Sequence, residues 1–130
     1  LVVRSGSSHE IRARDGSLLR LSLSSDEKYR LWTPLEQISP EMIRATLTQE
    51  DRYFYYHPGV NPAALLRGAY LSLRGRNSGG STITMQLARI RYALRTRSLL
   101  GKLHQIALAL LLESTFSKRQ ILEAYLNLAP

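Results

Sequence analysis

Helix-start signals recur along this chain from Ser39 onward, and they predict a mainly α-helical fold. Ser39 can cap a helix, with Pro40 at the first helical position. Asn61 followed by Pro62 repeats the signal before PAALLRGAYLSLR. Proline is tolerated in the first turn of a helix and not in its interior. Each signal therefore marks where a helix begins.

Three further helices are predicted in the second half of the chain. Either Ser81 or Thr82 opens a helix through TITMQLARIRYAL, and Ser117 with Gln120 forms a capping box before KRQILEAYLN. Between them, GKLHQIALALLLEST carries apolar residues all round its projected surface. That pattern is typical of a deeply buried helix.

The first part of the chain has a different pattern. HEIRARDGSLLRL alternates weakly around Asp15-Gly16, a strong turn signal, and predicts a small β-hairpin over 10–22. A short extended piece, YRLWTP, follows. We therefore divide the chain into a β-rich lead-in, 1–38, and a helical domain, 39–130.

Composition narrows the classes of partner. The 130 residues contain no cysteine, which excludes disulfides and thiolate metal sites. They carry a formal net charge of +8. The positive surplus favours nucleic acid, anionic lipid or a phosphate-bearing substrate, the alternative being a solvated basic surface. The apolar run IALALLL is far shorter than the ~20 residues of a membrane-spanning helix. Both ends of the chain look cut, and we expect further segments on either side.

Glu50 is the first candidate for chemistry. On a helix over 42–54 it projects between Ile43, Leu47 and Phe54, whereas Asp51 falls with Arg52 on the opposite, wet side. A carboxylate deprived of water holds a proton more readily, which suits general acid–base catalysis near neutral pH. The alternatives are that the helix ends before Glu50, or that Glu50 pairs with a buried arginine.

The positions of the histidines in the sequence favour structural roles over metal binding. His57 precedes a Pro-Gly chain reversal, where it either acts in catalysis or orders the turn through hydrogen bonds. His9, His57 and His104 lack the spacing of a zinc site.

A glycine-rich loop, GRNSGGS, precedes the third helix and lacks the ending of a nucleotide-binding P-loop. Free N–H groups at a helix start suit a diphosphate or a sugar oxygen. Thr82, Gln86 and Arg89 share one helical face, which either grips such a phosphate or is an ordinary polar face. Lys102 and Gln105, three residues apart, either project into a cleft or lie at the surface.

Four motifs in order carry a family resemblance: EDRYFYYHPGVNP, GGSTITMQLAR, GKLHQIALALLLE and SKRQILEAYLN. The chain resembles the peptidoglycan glycosyltransferases over about residues 10–130. These are the transglycosylase domains of class A penicillin-binding proteins and of their monofunctional relatives. Met85 and the GKLHQ stretch are most similar to the penicillin-binding protein 1C branch.

The resemblance implies a lysozyme-like, mainly α fold, truncated at its C-terminus, with a transpeptidase domain expected downstream. It implies a multifunctional enzyme of cell-wall biogenesis at the periplasmic, outer face of the cytoplasmic membrane, anchored by an N-terminal segment outside this chain. The implied reaction polymerises lipid II into glycan strands with inversion and releases undecaprenyl diphosphate. The implied partners are lipid II, the nascent strand and other cell-wall synthesis proteins, with no nucleic acid.

The resemblance also assigns residues. Glu50 matches the general base, and Lys102 matches a basic residue near the departing diphosphate. The positions that match substrate-binding or cleft-shaping motif residues are Asp51, Phe54, His57, Gly59, Ser81, Thr82, Gln86, Arg89, Lys102 and Gln105.

Two positions depart from the family pattern Arg-Lys-x-x-Glu. Gly101 stands in place of the arginine and Gln105 in place of the glutamate. A divalent cation, Mg²⁺ or Mn²⁺, is the one cofactor that the resemblance implies, and Gln105 puts both that metal dependence and the rate in question.

Three other activities remain open at this point. A lysozyme-like hydrolase would use Glu50 as an acid. A degenerate domain would bind lipid II without turnover. A nucleic-acid binder would use the positive charge alone.

Overall fold

The computed structural model describes residues 8, 10–22, 31–75, 79–96 and 98–129. A two-stranded antiparallel hairpin precedes a series of helices, which confirms the predicted mainly α fold with a small β element. The elements are β1 (Glu10–Arg12), β2 (Leu18–Leu21), α1 (Pro40–Glu50), α2 (Pro62–Leu73), α3 (Ile83–Arg91), α4 (Leu99–Thr115) and α5 (Lys118–Leu128). Single turns of 3₁₀-helix lie at Leu35–Gln37 and Phe54–Tyr56.

The hairpin turns at the predicted place. Gly16 has a φ of +86°, a left-handed conformation that glycine adopts without a Cβ clash. Glu10 pairs with Leu21 and Ile11 with Arg20 across the two strands. The hairpin prediction is therefore confirmed.

Each α-helix in the described residues begins at a side-chain cap that satisfies an otherwise unpaired backbone N–H group. The caps are Ser39, Asn61, Thr82, Ser98 and Ser117. Thr82, and not Ser81, caps α3, and the full capping box of Ser117 and Gln120 is present at α5. The predicted start signals are confirmed, and α4 begins earlier than its apolar pattern indicated.

The core lies between α3, α4 and α5. Ile83, Leu87 and Ala88 of α3 are at most 1% exposed, and they pack against Ile121 and Leu122 of α5 in one cluster. The apolar spacing of three and four residues places these side chains on one face of each helix. This core fixes α3, which carries the site residues.

The end of α1 differs from the prediction. The helix stops at Glu50, and Asp51 leaves the helical conformation with φ −160° and ψ 76°. A helical projection over 42–54 was therefore wrong for its last residues, and so were the sides assigned to Glu50 and Asp51. The side chain of Asp51 turns inward, which reverses the predicted arrangement.

The predicted deep burial of α4 is also wrong. Only Gln105, Ala109 and Leu112 of this helix are buried. In the described part of the chain α3 and α5 cover one side of α4, and its other side exposes a row of leucines. These are Leu99, Leu100, Leu103, Leu110 and Leu111. An all-round apolar helix has no polar face that would show from sequence which side its neighbours cover.

The segment before α1 packs onto α5. The Trp32 indole N–H donates to the Glu123 carboxylate over 2.9 Å, and the Leu35 amide donates to the same carboxylate over 3.1 Å. Asn127 bonds the amide and the carbonyl of Thr33. Residues 31–37, which the sequence placed in the lead-in, thus lie against the helical domain.

Gly59 offers a test of this packing. It has a φ of +83°, and a Cβ there would lie 2.6 Å from Glu113 Cγ and 3.0 Å from the Ala109 carbonyl oxygen. We expect Gly59→Ala to lower the free energy of unfolding by about 2–5 kcal/mol, from backbone strain plus overpacking. Urea unfolding followed by circular dichroism measures it.

Gly16→Ala is the matched control, because Gly16 has a φ of +86° and nothing within 4 Å of the added Cβ. Gly16→Ala should lower the free energy of unfolding by only about 1–2 kcal/mol, because it adds backbone strain without overpacking. Equal losses for the two variants would show that the contact between Gly59 and α4 is not tight.

Candidate active site

The Asp51 carboxylate lies buried at the junction of α1 and α3. Its Oδ2 accepts the backbone N–H of Ile83 over 3.1 Å, at the start of α3. His57 Nε2 lies 2.9 Å from Oδ1 and 3.1 Å from Oδ2. An anion at a helix N-terminus is stabilised by unpaired amides and by the helix dipole. Asp51 therefore holds the start of α3 against the end of α1.

His57 has a structural setting. Because an ionised carboxylate only accepts hydrogen bonds, Nε2 must carry the proton that faces Asp51. The ring is buried, and Nδ1 has no hydrogen-bond partner among the described residues. The interpretation in which His57 orders the turn fits this geometry.

Glu50 is exposed on the cleft wall, not buried on an apolar face. Its Oε2 accepts from Gln86 Nε2 over 2.9 Å, and Oε1 of the same Gln86 side chain accepts from the Tyr125 hydroxyl over 3.2 Å. Burial, and then the charge of Glu50, raises the pKa of the Tyr125 phenol, so the hydroxyl keeps its proton and donates it to the hydrogen bond with Gln86. Glu50 is thus oriented by α3 and α5, with a free side toward the cleft.

Two cations face the same region. Lys102 Nζ donates to Ser81 Oγ over 2.7 Å and to Gln105 Oε1 over 2.9 Å. Burial, and then the nearby charge of Arg89, lowers the pKa of Lys102. Arg89 is exposed, and its charge also acts on Tyr125. The three charged groups therefore lie along α3, with Lys102 near its start, Glu50 beside Gln86 and Arg89 in its last turn.

Thr82 does not join Gln86 and Arg89 on an exposed stripe. It is buried, its hydroxyl donates to the Gly59 carbonyl over 2.5 Å, and it accepts the Met85 amide over 3.2 Å. Thr82 thus connects the turn after His57 to the first turn of α3.

A cavity of about 560 Å³ opens beside Glu50, between the end of α1, the start of α2 and the loop before α3. Its lining includes Glu50, Ser81 and two arginines, Arg52 and Arg67. Arg67 did not stand out in the sequence, because a single arginine on a helix is usually a surface residue. The cavity places a carboxylate beside cations. A ligand that carries both a hydroxyl group and a negative charge could therefore bind there, with its hydroxyl near the carboxylate and its charge near the arginines.

The sequence matches a transglycosylase family model over residues 15–130. The chain belongs to the transglycosylase family. It is 42% identical over 120 residues to penicillin-binding protein 1C of Escherichia coli K12, covering 91% of this chain and 16% of that protein. It is 38% identical over 124 residues to the biosynthetic peptidoglycan transglycosylase of Pasteurella multocida, covering 95% of this chain and 50% of that protein. The chain therefore spans only part of the relatives that it matches.

The residues of the family motifs divide into two groups in this chain. Those that are exposed or half-buried are Glu50, Ser81, Gln86, Arg89 and Lys102. The others, bonded to or packed on other protein groups, are Asp51, Phe54, His57, Gly59, Thr82 and Gln105. The second group orders the backbone that presents the first.

Glu113 and Lys118 were missed by the sequence reasoning. Glu113 Oε1 accepts from Thr84 Oγ1 over 2.6 Å and from Lys118 Nζ over 2.8 Å. Lys118 Nζ also donates to the His57 carbonyl over 2.6 Å and lies 4.5 Å from the centre of the Phe54 ring. A lysine at the first position of a helix opposes the helix dipole. That unfavourable placement was the available signal.

The structure explains the glycine at position 101. A Cβ there would collide with the carbonyl oxygen of Arg95, so the arginine of the family pattern does not fit this backbone.

Two further properties concern the described residues only. No three histidine or acidic side chains in them converge to form a metal site. None of their helices has both the length and the hydropathy that crossing a bilayer requires.

Asp51→Asn tests the junction. The new amide would turn an N–H group toward either Ile83 N–H or His57 Nε2–H, leaving a buried donor unpaired. We expect a loss of about 1–3 kcal/mol in the free energy of unfolding. Urea unfolding measures it.

Glu41→Gln on α1 is the control, since Glu41 is exposed and pairs with Arg44 at the surface. Its effect should stay within about 0.5 kcal/mol. If Asp51→Asn is equally mild, the buried carboxylate does not hold the two helices together.

Proposed function

We propose that this chain is the catalytic part of a peptidoglycan glycosyltransferase that polymerises lipid II into glycan strands. The observation that carries the proposal is that Glu50 lines a cavity and is bonded to Gln86 of α3, beside which the cations Arg89 and Lys102 also lie. Family membership and the names of the relatives, a peptidoglycan transglycosylase among them, support it.

Glu50 is the general base in this proposal. It removes the proton from the 4-hydroxyl of the acceptor sugar as that oxygen bonds to the anomeric carbon of the donor. The bond from this carbon to the diphosphate breaks on the opposite face, so the anomeric centre inverts. A base must reach the proton that it abstracts, and exposure at the cleft wall permits this. The Gln86 amide holds one carboxylate oxygen and leaves the other free of that bond.

Lys102 and Arg89 stabilise the leaving group. Negative charge grows on the diphosphate oxygens as the bond to the sugar breaks, and fixed cations lower the energy of that state. Lys102 is held by Ser81 and Gln105 before substrate arrives, so little reorganisation is needed. The departing group is undecaprenyl diphosphate.

The cavity beside Glu50 is our candidate for the acceptor. It brings a hydroxyl-bearing sugar within reach of the base, while Arg52 and Arg67 suit the diphosphate of an incoming lipid II. The donor then lies on the other side of Glu50, toward Lys102. The two sites share the carboxylate, as the transfer requires.

Lipid substrates place the reaction at a membrane. Exposed apolar side chains on the hairpin, including Ile11 and Leu19, suit contact with acyl chains at the outer face of the cytoplasmic membrane. The proposal includes an anchor and a transpeptidase outside this chain, and cell-wall synthesis proteins as partners. The net charge of +8 is matched by anionic lipid, without a role for nucleic acid.

Replacing the base tests the function. In the full-length protein we expect Glu50→Gln to reduce lipid II polymerisation by at least about 100-fold, the usual contribution of a general base. Polymer length and rate are followed by gel electrophoresis of labelled glycan. Glu41→Gln, which removes an exposed carboxylate from the same helix, should polymerise at the parental rate.

Polymerisation by Glu50→Gln at the parental rate would contradict the assignment of the base. The same preparations are incubated with finished, lipid-free peptidoglycan, where released soluble fragments would indicate a hydrolase. Lipid II binding without any polymer in the parent would indicate a non-catalytic binding domain.

A further inference from the structure

Gln105 has its two amide ends committed to different partners. It is 1% exposed, in the middle of the contact between α3 and α4. Its Nε2 donates to the Met85 carbonyl over 2.7 Å, and its Oε1 accepts from Lys102 Nζ over 2.9 Å. The amide therefore links the α3 backbone to the lysine of the cleft.

The chemistry of these partners requires an amide. A backbone carbonyl only accepts and an ammonium only donates, so the residue between them must offer one donor and one acceptor. An ionised glutamate at 105 would set one carboxylate oxygen against the Met85 carbonyl oxygen, and two acceptors repel at that separation. Gln105, which departs from the family pattern, thus matches the hydrogen-bonding needs of both its neighbours.

An uncharged residue at this position also leaves the charge of Lys102 uncompensated. A carboxylate within hydrogen-bond distance would neutralise most of its field toward the cleft. With Gln105, the ammonium is held in place by neutral oxygens from Ser81 and Gln105. Burial and Arg89 together lower the pKa of Lys102, as expected for a cation that has no acidic partner in the described part of the chain.

We propose that Gln105 is a positioning residue that holds Lys102 toward the diphosphate as a full positive charge, in place of a site built on a carboxylate and a divalent ion. The inference deepens the proposed function and rests on it. It assigns to this chain a cationic site that binds a prenyl diphosphate through its own side chains.

The side chains around Lys102 do not fit a resident Mg²⁺ or Mn²⁺. Such ions prefer carboxylate and other oxygen ligands in near-octahedral geometry. Here the Gln105 oxygen is already bonded to Lys102, and within the described residues the charge that acts on Lys102 is that of Arg89, a second cation. Among those residues no group of three acidic or histidine side chains could hold a metal ion.

Binding of farnesyl diphosphate to the full-length protein, measured by calorimetry, tests the inference without relying on turnover. The parent should bind this short prenyl diphosphate in excess EDTA. Gln105→Glu should bind it at least about tenfold more weakly in EDTA and recover when Mg²⁺ is added, because the metal offsets the new charge. A parent that binds only with Mg²⁺, or a Gln105→Glu variant that binds equally well in EDTA, would overturn the inference.

Two further variants separate charge from packing. Gln105→Met removes both hydrogen bonds without adding charge, so binding should weaken in EDTA and in Mg²⁺ alike. Binding at the parental level would show that Gln105 does not position Lys102. His104→Glu places the same new charge one residue away on the exposed side of α4 and should bind like the parent. Weakening equal to that of Gln105→Glu would attribute the effect to net charge.

The pH dependence of polymerisation gives a second readout. In the parent, activity that needs charged Lys102 should fall at a pH below the usual lysine range, because the pKa of Lys102 is lowered. In Gln105→Glu the adjacent carboxylate raises the pKa of Lys102, so this alkaline limb should move to higher pH. An unmoved limb would contradict the proposal. A parent that makes no polymer would refute the proposed function, while farnesyl diphosphate binding would still decide the role of Gln105.

Discussion

The Asp51 carboxylate joins parts of the chain that lie far apart in sequence. It accepts the first amide of α3 and holds His57 in the turn that follows α1. An acceptor-only group fits there because both neighbours present N–H groups, and the dipole of α3 favours an anion at this end. The junction sets the end of α1 against the start of α3, so that Glu50 reaches Gln86 while Asp51 stays dry.

This arrangement assigns different tasks to two adjacent carboxylates. Asp51 is buried, and its two oxygens accept hydrogen bonds from protein N–H groups. Glu50 is exposed, and part of its carboxylate faces the cleft. The cations then complete the site from α3 and α4. Under the proposed mechanism the fold supplies positioning and fixed charge, and the substrates supply the lipid diphosphates that those charges meet.

Capping residues and turn signals were readable from sequence because they act through neighbouring residues. Asn61-Pro62, Asp15-Gly16 and the capping box of Ser117 all formed as predicted. The orientation of Glu50 was not readable, since the helix stops there and Asp51 turns instead to Ile83, which is 32 residues away in sequence. The same holds for the bond of Glu113 to Thr84, 29 residues apart. The family motifs named these positions, but which of their side chains are buried became clear only from the fold.

Hydrogen exchange at the Ile83 amide tests the central claim most directly, since that N–H is the one Asp51 accepts. Measured by NMR or by mass spectrometry with residue resolution, exchange in the parent should be slow. In Asp51→Asn it should accelerate by at least about fivefold, the equivalent of losing one buried hydrogen bond of about 1 kcal/mol. Equal exchange rates in the two proteins would show that the start of α3 is held by something other than Asp51, and the proposed positioning of Glu50 would fail with it.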